Sequence, residues 1–131
     1  MTTIPAIACQ GLTKSYDGAP ALSGFDLTVD RGTIVSLLGP SGCGKTTALR
    51  AIAGFESPDA GTVRIGDRVV FDSDVDVVPE KRRVGMVFQE YALFPHMTVD
   101  RNVAYGLNGA DAPARVEAVL DLVGLAGFGS R

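Results

Sequence analysis

Cysteine is scarce in this chain: Cys9 and Cys43 are the only two. Two thiols so placed do not make a disulfide framework, and their default state is reduced, in a cytosolic compartment. Histidine is scarcer, with His96 alone, and a lone histidine is no catalytic constellation. No apolar run approaches the roughly 18–20 residues that cross a bilayer. Met1-Thr2-Thr3-Ile4-Pro5 has neither a basic flank nor an apolar stretch, so no signal peptide is expected there. Positive charge is not in excess: Lys plus Arg is 12 against 15 Asp plus Glu, a net charge of −3. That balance argues against a dedicated nucleic-acid binder. The 131 residues suffice for one domain and not for two. What the chain does have is 46% apolar content with charges spread along it, which excludes a disordered protein. It also has 16 glycines, well above the usual share of about 7%. That excess points to sites built from backbone, and the glycines cluster where such a site would lie.

The pattern predicts an irregular strand over residues 7–16 and a second over 21–29, with turns at Asp17-Gly18 and Asp30-Arg31-Gly32. Residues 33–38 form a nearly continuous apolar run, as suits a parallel strand covered on both faces. Residues 45–53 read as a helix burying Leu49, Ile52 and Ala53, stopped by Gly54 and Pro58. Two short strands around Gly66-Asp67, a charged solvated connection through Glu80-Lys81-Arg82-Arg83, and a second buried-type strand over 84–88 follow. Thr98 is expected to cap a helix running to about residue 107. Asp111 is expected to cap a last one, with Pro113 in its first turn and Val116, Val119, Leu120 and Val123 at helical spacing.

Between the first buried-type strand and the first helix lies Gly39-Pro40-Ser41-Gly42-Cys43-Gly44-Lys45-Thr46, with Thr47 after it. This fits G-x-x-x-x-G-K-[ST] in full and in the strand–loop–helix context the motif requires. Gly42 and Gly44 let backbone N–H groups turn inward without a Cβ in the way. Those amides and the helix N-terminus make a nest for phosphate oxygens. Lys45 is placed to reach β- and γ-phosphates, and the Thr46 hydroxyl to coordinate Mg²⁺. ATP with Mg²⁺ is the expected ligand. The motif leaves open a transport ATPase, a stand-alone nucleotide-binding module and another P-loop enzyme such as a kinase.

The block Arg82-Arg83-Val84-Gly85-Met86-Val87-Phe88-Gln89-Glu90-Tyr91-Ala92-Leu93-Phe94-Pro95-His96 narrows that choice. Together with the loop it resembles the ATP-binding subunits of ABC transporters, of the importer type, from about residue 7 to the last residue. The resemblance implies an α/β fold: a P-loop NTPase core with a partial parallel sheet, an N-terminal antiparallel layer, and the start of a helical subdomain. The division would fall at about 1–97 and 98–131. It implies that Tyr16 stacks on adenine and that Gln89 touches Mg²⁺ and the attacking water, joining Lys45 as a catalytic residue. The groove opening at Tyr91 and closing at Met97 would receive the membrane-spanning subunits, with a second ATP-binding subunit as the other partner. The place implied is cytoplasmic, on the inner face of the membrane. The family's Leu-Ser-Gly-Gly-Gln signature, Mg²⁺-binding Asp and water-polarising Glu find no match in these residues, so the chain resembles the N-terminal half of such a subunit. By resemblance the solute looks most like ferric iron, with polyamine, sulfate and sugar importers close to it.

Overall fold

A computed structural model describes residues 3–40 and 42–131. The chain divides into two compact units, Met1–Met86 and Val87–Arg131. In the first unit β1 (Ile7–Tyr16) and β2 (Ala19–Val29) form a long hairpin closed at Asp17-Gly18. Helix α1 spans Lys45–Ala53, and β3 (Ala60–Ile65) and β4 (Arg68–Phe71) form a second hairpin. The four strands make one antiparallel sheet in the order β2-β1-β3-β4. The register of β1 slips between Cys9 and Leu12, where Gly11 has φ +60° and its N–H donates to Asp26 Oδ1 at 2.7 Å.

The core of this unit is Cys9, Leu12, Leu22, Val63, Val70 and Phe71 from the sheet, under Ala48, Ala51 and Ile52 of α1. A fully buried Leu or Val contributes about 1.5–3 kcal/mol. The helix lies on the sheet through two alanines and Ile52, and Leu49, expected inside, is 49% exposed. The buried stripe runs through positions 48, 51 and 52, and Leu49 falls off its edge.

The second unit holds α2 (Val99–Ala104) and α3 (Ala112–Leu122). Thr98 Oγ1 accepts from the Arg101 N–H at 3.3 Å, so the expected cap is made. Asp111 sits at the N-cap of α3 without a side-chain capping bond, since its backbone is already helical at φ −88° and ψ −2°. Val116 and Leu120 are buried, whereas Val119 and Val123 face out. The tail closes on α2, with the Val99 N–H donating to Arg131 O and the Asp100 N–H to Gly129 O, both at 2.9 Å.

The α/β class stands, and the antiparallel layer and the helical start are as expected. The parallel strands are not present among the described residues. Residues 33–40 and 84–88 run without sheet pairing, and Ile34 and Leu38 are 99% and 91% exposed. A strand meant for burial on both faces needs neighbours for its N–H and C=O groups and cover on each side. Among the described residues nothing supplies them.

Candidate functional site: the phosphate loop of the first unit

The loop enters α1 through two left-handed glycines, Gly42 at φ +84° and Gly44 at φ +93°. Gly44 is the N-cap of α1, so no side chain takes the first-turn amides, and no acidic residue lies in that turn. The amides of Lys45, Thr46 and Thr47 at this end have no intrahelical acceptor. They carry the positive end of the helix dipole and suit an anion. A Cβ on Gly44 would run into the carbonyl oxygen of Ala21 on β2. The loop is thus seated directly on the β1–β2 hairpin, a contact only glycine permits.

Lys45 Nζ donates to Gly39 O and, at 3.2 Å, to Pro40 O. The ammonium is held across the mouth of the loop by the loop's own carbonyls, where an arriving phosphate would meet it. Thr46 is exposed and Thr47 half-buried. The Thr46 hydroxyl is a hard oxygen donor in the first turn, of the kind Mg²⁺ accepts beside phosphate oxygens and water. The exposed Cys43 thiol lies over Gly39, where an added Cβ would meet its Sγ at 2.7 Å. Ser41 lies outside the described residues.

Tyr16 ends β1 opposite Ala19. Gly44 packs on Ala21, two residues further along β2, about 7 Å at the rise of a strand. The structure therefore brings Tyr16 and the phosphate loop to the same end of one hairpin, although 28 positions separate Tyr16 from Gly44. Tyr16 is 43% exposed, and Lys14 Nζ lies 5.4 Å from its ring centroid. Lys14 is itself held by Glu56 and Asp59, at 3.5 and 3.6 Å.

Gln89 belongs to the second unit and lies exposed in the turn after residues 84–88. Tyr91 and Ala92, just beyond, both take left-handed backbone, at φ +63° and +52°. Tyr91 and Leu93 are 75% and 70% exposed. Phe94 stacks against Tyr105 with centroids 4.5 Å apart. Asn102 holds this loop from behind. Its Oδ1 accepts from the Phe94 N–H at 2.8 Å, and its Nδ2 donates to Phe94 O, Met97 O and Thr98 O. No periodicity or motif in the sequence marks Asn102.

Pattern reading also misplaced Arg82. Expected in a solvated connection, it is 2% exposed. Its guanidinium donates to Ala51 O at 2.9 Å, Ile52 O at 3.3 Å and Val77 O at 2.6 Å, and pairs with Asp76 at 2.9 Å. It thereby closes the C-terminal end of the helix whose N-terminal end is the phosphate loop. Burial pushes its pKa down, while the charge of Asp76 and the bond to it push back. Its cation also suits the negative end of the helix dipole. A basic run of three, Lys81-Arg82-Arg83, gives no hint of which member goes inside.

Residues 22–131 match the ABC transporter family. The spermidine/putrescine import ATP-binding protein PotA of Aliivibrio fischeri is 49% identical over 95% of this chain and 34% of its own length. The Fe(3+) ions import ATP-binding protein FbpC of Brucella abortus is 48% identical over 96% of this chain and 36% of its own length. The chain therefore spans about a third of the length of these curated relatives. In fold it follows the ATP-binding cassette MJ0796, solved as a dimer in a post-hydrolysis state with ADP and Pi, at a TM-score of 0.80 and 28% identity. That alignment covers 95% of this chain and 60% of the other. A phosphate loop seated on an antiparallel hairpin, matched over this length, settles the assignment: the chain belongs to the ABC transporter family.

Proposed function

We propose that the chain is the nucleotide-binding half of the ATP-hydrolysing subunit that energises an ABC importer for a small solute. Gly39, Pro40, Ser41, Gly42, Cys43, Gly44, Lys45, Thr46 and Thr47 cradle the phosphates of ATP. Thr46 and Gln89 hold Mg²⁺, Tyr16 lies against the adenine, and Lys45 and Gln89 serve the transfer of the γ-phosphoryl group. Residues 91–97 receive the membrane subunits, and a second copy completes the pair. The protein then works at the inner face of the membrane. No helix among the described residues is long and apolar enough to cross a bilayer. The relatives at 49% and 48% identity are named for polyamine and ferric-iron import, so the reading is held at the import of a small solute.

The observation that carries the proposal is the seat of the loop. Uncapped amides, two left-handed glycines and the Lys45 ammonium converge at the N-terminus of α1. Replacing Lys45 with Ala removes a charge-assisted phosphate contact worth about 1.5–3 kcal/mol. ATP affinity should fall roughly 10- to 150-fold. Calorimetry with Mg²⁺ and ATP tests this, and equal affinity for wild type and Lys45→Ala overturns the phosphate-loop reading.

A further inference from the structure

At the other end of the β1–β2 hairpin lies a cleft of about 770 Å³ between the β3–β4 hairpin and the turn over residues 79–83. We propose that it is a second anion site, taking a small, multiply charged phosphate-bearing ligand. Arg31, Arg68, Lys81 and Arg83 line it, against Asp67 and Glu80. The excess there is positive, in a chain whose net charge is −3. Arg82 also reaches its wall, but that charge is already matched by Asp76. Among the described residues none of the four cations is ion-paired with a carboxylate.

Two of the guanidinium groups are held in place by backbone. Arg31 Nε donates to Ile4 O at 3.3 Å, and its Nη2 stands beside Gly66, where an added Cβ would meet it at 3.1 Å. Arg68 Nη1 donates to Lys81 O at 2.9 Å, tying the strand to the turn. Anchoring by carbonyls leaves each guanidinium with unused N–H donors and removes part of the ordering cost of binding. Arg83 takes left-handed backbone at φ +59°, a conformation that disfavours any side chain. Planar arginine forks match phosphate oxygens two at a time. The volume is that of a small-molecule cleft, about 300–1,000 Å³.

The cleft is separate from the phosphate loop. It borders Ala6 and Ile65, and Ile65 pairs with Ile7 at the start of β1, whereas the loop sits near Tyr16 at its end. Along β1 that is about 25–30 Å, at ~3.3 Å per residue.

The test is calorimetry of tripolyphosphate with the Lys45→Ala chain, in which the phosphate loop is weakened and the cleft is read. Saturable binding is expected. Affinity should fall roughly tenfold or more in Lys45→Ala/Arg68→Ala and in Lys45→Ala/Arg83→Gly, each of which loses a charge-assisted contact. Arg83→Gly removes the guanidinium while relaxing the left-handed backbone, so the fold is not put at risk. Arg101→Ala, in the second unit, should change nothing. The proposal is overturned by unsaturable binding, or by equal affinity with and without Arg83. It is overturned too if polyglutamate binds as tightly as tripolyphosphate, or if anionic lipid vesicles bind while free tripolyphosphate does not. Those results would assign the patch to a protein or to a membrane surface.

Discussion

A methyl group added at Gly44 has nowhere to go. The backbone there is left-handed, which costs a non-glycine residue about 1–2 kcal/mol, and the new Cβ would strike the Ala21 carbonyl. Gly44→Ala should therefore lose several degrees of melting temperature, at about 4–8 °C per kcal/mol for a small domain, and most of its ATP affinity. A Gly44→Ala chain that melts and binds like the wild type would refute the seat of the loop on β2. The two cysteines give a second handle at this scale. Cys43 is exposed, whereas Cys9 is buried and its thiol is pushed up to about 11 by burial. A maleimide should label one thiol in the folded chain and two in denaturant. Saturating ATP should slow the labelling of Cys43, because the proposed site puts the nucleotide over the loop in which it sits. An unchanged rate with ATP present contradicts that placement.

Helix α1 is gripped at both ends, by the Gly44–Ala21 contact and by Arg82 under its last turn. Arg82→Ala leaves the carbonyls of Ala51, Ile52 and Val77 without that donor. One buried group left unsatisfied costs about 1–3 kcal/mol, so a loss of at least ~2 kcal/mol is expected in urea unfolding. Arg82→Lys, with one ammonium for a five-donor fork, should recover only part of it. A loss below about 0.5 kcal/mol, as for an ordinary surface residue, would mean that the solvated reading was right. The loop, the helix and the Gly66-Asp67 hairpin were legible in the sequence, since each is built from bonds between near neighbours. The burial of Arg82 was not, because its partners lie 5, 6, 30 and 31 positions away.

At the scale of the whole chain, nucleotide binding and turnover separate. Phosphoryl transfer rests on groups placed where charge develops, and losing one such group costs about a hundredfold or more. In the proposed function these residues carry the cradle, and the family's metal-binding Asp, water-polarising Glu and signature find no match in their sequence. The 131-residue chain alone should bind ATP without hydrolysing it at a useful rate. Steady-state phosphate release, with Lys45→Ala as the contaminant control, checks this. Lys45-dependent turnover on the order of 1 s⁻¹, within the usual enzyme range, would show a catalytic site assembled from other residues. The exposed apolar run with Ile34 and Leu38 should also make the isolated chain prone to associate.

What the sequence determined by itself was local and directional. Glycines at 42 and 44, a lysine and a threonine at a helix start, and a capping Thr98 each act on backbone within a few residues. The tertiary structure decided what depends on distant partners. Pairing of β1 with β2 put Tyr16 at the hairpin end on which the phosphate loop sits, and packing on the sheet turned Ala48 inward and Leu49 outward. The apolar run at 33–38 had the composition of a buried strand, but a strand is completed only by neighbours that take its hydrogen bonds, and composition cannot supply them.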